Sequence, residues 1–475
     1  MADKSTNNIE LKVLVDKGSN KVIFIEPDND FVDVLFSFMT IPMGTIIRLA
    51  SKHSDPMVIG CMNNLYESVE NIDEQEFRFP KFKDMLLRPA NAADFLCNCL
   101  KLKLDNAEPR SYFMCSKLCK FLSYNYGTYC PCSYSSTTYG LSSSTMVEKK
   151  RLSVASVFVK RRTGFIVADD LQVIPPSAST DSVLFTKLGV VDVHATEELA
   201  INIGTAEICN LLLSCLVSKT PLTETLLNPE QEPKLRSTIL NQGILNEYQM
   251  SGDSMDDEEG KISLNLVVSK SKKMVCYAEV GEDFVNLLYS FLTLPLGFIV
   301  KNMKDCSLKG CINHLYKTIL DLDGQYMISN HHKEMLVNPK LVPAFCYQNS
   351  LIGIEETSYY YEGCKLITDS SSEFNKLKVL GSEDVNAQGF LKGPASFVVT
   401  DTLIVRPMSR IFELHVLKDL NVPVTDIENQ IVHVGKKEAL HLLLASFLCD
   451  SALTNTFFGD IKKPKQEQRW IGYTY

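Results

Sequence analysis

Four cysteines come nearest to a recognisable chemical site by type and spacing. Cys115, Cys119, Cys130 and Cys132 form C-x3-C-x10-C-x-C inside residues 112–140, a stretch rich in Ser, Tyr and Gly with no helical or strand period. Four thiolates can close a tetrahedral zinc site, and zinc can supply the folding energy that such a segment lacks. One structural zinc is therefore one expectation. Reduced thiols in an open loop are a second, and an incidental disulfide is a third. The commoner spacing is C-x2-C. A catalytic zinc fits worse, because four thiolate ligands leave no position open for water.

Other residues carry weaker signals. Asp169-Asp170 offers paired carboxylates, and Asp401 occupies the place of Asp169 in a second copy of the same pattern. Both positions fall where two strands turn, and Asp is a standard turn residue, so the turn reading is preferred. His331-His332 could begin a metal site, but the matching earlier residues are Lys81-Phe82. No further ligands stand at helical spacing, which favours exposed histidines in a loop. Gly44 and Gly297 each follow a proline by two positions, as a turn with positive φ would need. There is no G-x-x-x-x-G-K-[ST], no G-x-G-x-x-G after a strand, no H-E-x-x-H and no G-x-S-x-G.

The elements that must position these residues repeat. FVDVLFSFMTIPMGTII at 31–47 returns as FVNLLYSFLTLPLGFIV at 284–300. Weaker Leu-x-Ser-x-Leu echoes stand at Leu212, Ser214, Leu216 and at Leu444, Ser446, Leu448. Residues 11–26 read as a hairpin turning at Gly18-Ser19-Asn20, with Asp30 a candidate N-cap for the helix that follows. In that helix Phe31, Val34, Leu35 and Phe38 share one face, and Pro42 with Gly44 closes it. Gly60-Cys61, Asn63, Leu65-Tyr66, Lys83, Met85-Leu86 and Pro89 recur at one constant offset as Gly310-Cys311, Asn313, Leu315-Tyr316, Lys333, Met335-Leu336 and Pro339. Chance would not hold that offset, so internal duplication is expected.

The predicted class is α+β, built from four strand-hairpin-plus-helix modules in two pseudo-symmetric domains. These are a first unit at 8–228 carrying the Cys-rich insert at 112–140, an acidic linker at 229–261, a second unit at 262–458 and a flexible tail at 459–475.

Charge and composition narrow the function. The chain has 475 residues, 45% hydrophobic, and a formal charge of −9. That balance argues against a general nucleic-acid coat. The basic clusters Lys149-Lys150-Arg151 and Lys160-Arg161-Arg162 flank a strand-like run, LSVASVFV, and read as a solvated edge. The N-terminus shows no secretory h-region, so an intracellular protein, cytoplasmic or nuclear, with reduced thiols is expected from its 15 cysteines. The apolar run 284–300 is short of the ~20 residues a membrane span needs.

The combination of KVIFIEPDNDFVDVLFSFMTIPMGTI, GCMNNLYESV, KDMLL-x-P, the YFMC…CPC stretch and FIVADDLQVIPPS resembles the plant-specific family called domain of unknown function 674, over about 8–458 in two copies. The resemblance implies a plant protein with a duplicated α+β unit and no assigned biochemistry. In that family's pattern the cysteine stretch ends Cys-x-Cys-Gly; here Ser133 follows Cys132. A non-enzymatic binding or scaffold protein with a protein or small-molecule partner is the preferred reading. An enzyme with a non-linear site in the cleft between the halves is the alternative. A nucleic-acid or regulatory protein using the cysteine knuckle is a further one.

Overall fold

A computed structural model describes residues 8–52, 57–105, 113–114, 120–123, 156–161, 164–176, 185–186, 188–190, 192–228, 261–303, 310–343, 349–362, 365–368, 373–379 and 389–458. The linker 229–260, the tail 459–475, Lys149-Lys150-Arg151 and the four cysteines Cys115, Cys119, Cys130 and Cys132 lie outside the described residues.

The fold is α+β. Strands β1 (Ile9–Asp16) and β2 (Lys21–Glu26) make the expected hairpin, with Ile9, Leu11, Val13 and Val15 facing the core at period 2. Helix α1 (Asn29–Ser37) is capped by Asp28, whose side chain accepts from Phe31 N at 2.9 Å. Asp28 has the extended backbone of a cap, so Asp30 falls inside the first turn instead. A short 3-10 turn leads to Pro42, which does not close the helix but starts a second one, α2 (Met43–Ala50). Proline suits a helix start because the N–H it lacks would have no partner there.

The first half continues through α3 (Met62–Asn71), α4 (Lys81–Leu87), α5 (Asp94–Cys97), β3 (Phe113–Met114), β4 (Phe121–Ser123), β5 (Ile166–Ala168), β6 (Val173–Ile174), β7 (Thr196–Ile203), α6 (Thr205–Val217) and α7 (Pro221–Leu227). The second runs β8 (Ile262–Ser269), β9 (Met274–Gly281), α8 (Glu282–Ser290), α9 (Leu296–Asn302), α10 (Ile312–Asp321), α11 (Asn330–Val337), α12 (Asn349–Ile352), β10 (Tyr359–Glu362), β11 (Lys365–Ile367) and β12 (Lys376–Val379). It ends with β13 (Ser396–Thr400), β14 (Val405–Pro407), α13 (Arg410–Asp419), β15 (Ile427–Val434), α14 (Lys436–Leu448) and α15 (Ala452–Phe458).

Two five-stranded sheets have matching orders, β6-β5-β2-β1-β7 and β14-β13-β9-β8-β15. Both hairpins carry a register shift at the same place, between Leu14 and Val15 and between Val267 and Val268. A third sheet joins the halves, with β12 parallel to β4.

The halves interlock. Pro42 and Pro295 form an antiparallel bridge, in which Met43 N donates to Leu294 O and Leu296 N to Ile41 O, both at 2.9 Å. Each arm then docks on the opposite sheet and helix. Cys61 N donates to Ser446 O at 2.8 Å, and Cys311 N to Cys215 O at 2.9 Å. A Cβ on Gly60 would lie 2.5 Å from Ser446 O, and one on Gly310 2.2 Å from Cys215 O, so only glycine permits the contact. Gly44 and Gly297 serve close approach too. They lie inside α2 and α9 without positive φ, and a Cβ there would meet Leu86 O at 3.0 Å or Met39 O at 2.8 Å. One buried apolar cluster runs through both halves. Among the described residues no helix is long and apolar enough to cross a membrane.

Candidate functional site

The polar residues of the seam between the halves fall into three groups, and the first is structural. Asp33 on α1 is 1% exposed and accepts N–H bonds from Val157, Phe158 and Val159 at 2.5, 2.7 and 2.9 Å. These residues end the run read as a strand. Among its described residues the run makes only an isolated bridge from Val159 to Met327, because its N–H groups turn to Asp33. Its other face grips the opposite arm, with Ile328 N donating to Phe158 O and Lys160 N to Tyr326 O. Asn286 on α8 does the same for the second half, accepting from Phe390 N and Leu391 N at 2.9 and 3.0 Å. There Arg78 N donates to Phe390 O and Lys392 N to Glu76 O. Burial pushes the Asp33 carboxyl up to about 6, against the pull of its three donors.

The second group surrounds the acidic turns. Asp169 accepts from Thr223 N at 2.9 Å and from Thr223 Oγ1 at 2.6 Å, and that hydroxyl accepts from Val22 N. Asp401 and Thr454 repeat the arrangement at 2.7 and 2.7 Å, with Val275 N as donor to the hydroxyl. These carboxylates tie the strand turn to the start of the last helix of each half, α7 and α15. Burial lifts both to about 6. Asp170 points elsewhere. Its Oδ2 lies 2.9 Å from Nδ1 of His314 on α10, from the other half, although the two are not aligned as a hydrogen bond. His314 borders an open cleft of about 540 Å³ that also presents Lys317, Thr318, Asp321 and Gln325. Cys311 is near but buried, and its thiol is pushed far up by burial first and by Asp170 next, so it is no thiolate nucleophile.

The third group lines a more enclosed cavity of about 230 Å³. The first half contributes Thr40, Asn91, Ala92 and Ala93. The second contributes His331, Glu334, Asn338, Lys340, Thr357, Ser358 and Tyr360. Asn91 Nδ2 donates to Thr40 Oγ1 at 2.9 Å, and Asn91 Oδ1 accepts from Ala93 N at 2.8 Å, so the first wall is fixed. On the second wall Asn338 Nδ2 donates to Glu334 Oε1 at 2.5 Å, and Lys340 pairs with Glu355 at 2.7 Å. His331 and His332 lie in the first turn of α11, not in a loop. Ser329 caps that helix and its hydroxyl stands 2.7 Å from His332 Nδ1, so His331 and His332 diverge. Only His331 reaches the cavity.

Among the described residues no three His, Cys, Asp or Glu side chains are grouped to hold a metal. The eight described cysteines are free thiols. Burial pushes Cys97 and Cys449 up to about 12 and raises Cys61, Cys209, Cys215, Cys276 and Cys311 as well. Sequence reasoning missed Asp33, Asn286, His314 and the cavity residues other than His331. The partners of Asp33, Asn286 and His314 are more than a hundred residues away along the chain, the cavity forms only where the halves meet, and the only available signal was the constant offset between halves.

No curated protein and no solved structure matches the chain. The family model described as "Protein of unknown function (DUF674)" matches residues 5–437. With most of its length matched, the chain belongs to the DUF674 family.

Proposed function

We propose that this chain is a non-enzymatic binding protein that seats a small polar ligand in the 230 Å³ cavity between its halves. The observation that carries the reading is the lining. Donors and acceptors from both halves converge there, the charged Glu334 and Lys340 among them already engaged by Asn338 and Glu355, and no activated nucleophile stands in the lining. The halves, 8–228 and 262–458, are read as products of internal duplication. The constant sequence offset and the like strand orders support that origin. A ligand between two such halves would bias how they grip each other, which suits a scaffold or sensor.

The test is small-molecule enrichment. The protein is incubated with a polar metabolite extract, ultrafiltered, and the retained compounds identified by mass spectrometry. Wild type should retain a compound that Ser358→Phe, which fills the cavity, does not. Retention of nothing, or equal retention by a Ser358→Phe protein of unchanged melting temperature, would remove the proposal.

A second reading has its own observation. His314 and Asp170 come from opposite halves and approach each other, with His314 lining an open cleft, as an acid–base pair would. An enzyme using that pair would lose turnover on His314→Gln while keeping its fold.

A further inference from the structure

The sheet of the second half ends on β15, which bonds β8 on one side and no strand on the other among the described residues. Residues of an antiparallel ladder alternate, one bonding the neighbour and the next turning its N–H and C=O away. Lys270 N donates to Asp426 O at 2.9 Å, which puts Asp426, Glu428, Gln430 and Val432 on the bonded side. Ile427, Asn429, Ile431 and His433 therefore present their backbone groups outward, and among the described residues none of the four has a further hydrogen-bond partner. Proteins commonly blunt such an edge with proline, lysine or a bulge. β15 carries no Pro and no Lys, keeps register with β8 over its eight residues, and exposes Ile431 at its middle, 73% accessible.

The charges along this edge are ordered. Asp426 and Glu428 stand at its start, and Lys436 and Lys437 stand just past its end, with Glu428 and both lysines exposed. The Ser269 and Ser271 hydroxyls donate to Asp426 and hold its carboxyl below the usual carboxylate range. A strand with acids first and bases last complements itself when two copies run antiparallel. A twofold axis through Ile431 brings that side chain against its own copy, sets Asn429 opposite His433 of the second copy, and lays each acidic start against the other copy's lysines. The matching edge of the first half, β7, lacks this property. It has the same length and burial alternation, but Glu197 and Glu198 at its start, Ala200 in the place of Ile431 and Thr205-Ala206 in the place of the two lysines. Paired with itself it would gain neither the apolar contact nor the opposite charges, so the self-complementary edge is not a by-product of the shared fold.

We propose that β15 docks the same strand of a second copy of this chain, joining the two second-half sheets into one across a twofold axis. The outward N–H and C=O groups of each strand satisfy those of the other, as in any strand added to a sheet edge. The interface is isologous, so it closes at two copies.

The test is sedimentation equilibrium of the full chain from the micromolar to the millimolar range. The mass should rise with concentration to twice that of the monomer, and the dimer should loosen as salt rises because its charged ends are exposed. Ile431→Lys sets like charges against each other at the axis and should weaken the dimer at least tenfold. Its melting temperature measured as a dilute monomer should not change, since the side chain it replaces is exposed. Ala200→Lys, the same change on β7, should leave the dimer intact. Glu428→Lys should weaken it, and Glu428→Lys with Lys436→Glu should restore part of the loss, because the reversed ends are again opposite in sign. A chain that stays monomeric at every concentration overturns the proposal and leaves the edge to an extended segment of another protein. A dimer that survives Ile431→Lys, that Ala200→Lys breaks equally, or that the double reversal weakens further overturns it as well.

Discussion

Asp33 and Asn286 occupy matching places in the two halves and differ only at the end of the side chain. Each lies buried on the helix after the first hairpin, and each holds a loop whose other side grips the opposite arm. The carboxylate gathers three N–H groups and the amide two. The amide's Nδ2 is buried without a partner among the described residues. Gly389, at φ 74°, makes room for it, since a Cβ there would lie 2.2 Å from Nδ2. The same clamp is thus built once with a titratable group and once without. Geometry alone needs only an acceptor; the charge is an addition peculiar to the first half.

The largest expected effect tests whether the clamps join the halves energetically. Leu35 and Leu288 are fully buried in the shared core. Leu35→Asp or Leu288→Asp strands a carboxylate there at a cost of several kcal/mol, comparable with a whole domain's stability. Because each arm docks on the opposite half, either substitution should abolish the folded signal of the entire chain. Calorimetry showing one half still melting at its wild-type temperature would break the interlocked picture.

The next effect separates the clamps. Asp33→Ala orphans three buried N–H groups and Asn286→Ala two, and each orphan costs about 1–3 kcal/mol. Asp33→Ala should be the more damaging, by at least about 1 kcal/mol in urea unfolding.

Acidity separates them further. Burial lifts the Asp33 carboxyl from 3.8 to about 6. Its folded-state value lies above its unfolded one, so the native state binds the proton more readily between those limits. The contribution is fully present below pH about 4 and is lost as pH rises through about 6, on the order of 3 kcal/mol in all. Asp169 and Asp401, also lifted to about 6, add the same sign. In Asp33→Asn the gain in stability from pH 7 to pH 4.5 should shrink, and Asn286→Asp should enlarge it. Denaturant midpoints at the two pH values read this directly, and parallel profiles would show that Asp33 does not titrate in this range.

Much of the scaffold was legible because it is local. The hairpin's period-2 alternation and the apolar face of Phe31, Val34 and Leu35 each follow from a few neighbouring residues. Pro42 misled because proline ends one helix as readily as it begins another, and here the pairing of Pro42 with Pro295 selects the second. Asp169 and Asp401 do stand in turns, but their threonine partners are 54 and 53 residues ahead, beyond any local signal. The candidate cavities were invisible for the same reason. A cavity with Asn91 on one wall and His331 on the other exists only after the halves dock.

The cysteine cluster sharpens the contrast between halves from the sequence side. Cys115 and Cys119 fall between β3 and β4, while the equivalent stretch of the second half offers only Cys364. If the four thiolates hold zinc, metal analysis of protein purified without chelator should give about one zinc per chain. Cys115→Ser with Cys130→Ser should remove it and leave residues 262–458 folded. Metal-free wild-type protein would end the zinc reading.

The smallest effect turns on a single oxygen. Phe36 and Tyr289 occupy matching places on α1 and α8, both fully buried. The Tyr289 hydroxyl has no hydrogen-bond partner among the described residues, and burial alone drives its acidity far down. A buried hydroxyl without a partner has lost its hydration and gained nothing in return. Tyr289→Phe should therefore stabilise the chain by about 1 kcal/mol, making the second half resemble the first. The reverse substitution, Phe36→Tyr, must bury a hydroxyl in a place shaped for a ring alone and should destabilise by about 1–3 kcal/mol. Opposite shifts in the denaturant midpoint would show that the two core positions are alike in packing and differ only in this oxygen. Destabilisation by Tyr289→Phe would instead mean that the hydroxyl has a partner, and that the two halves differ in hydrogen bonding at their centres.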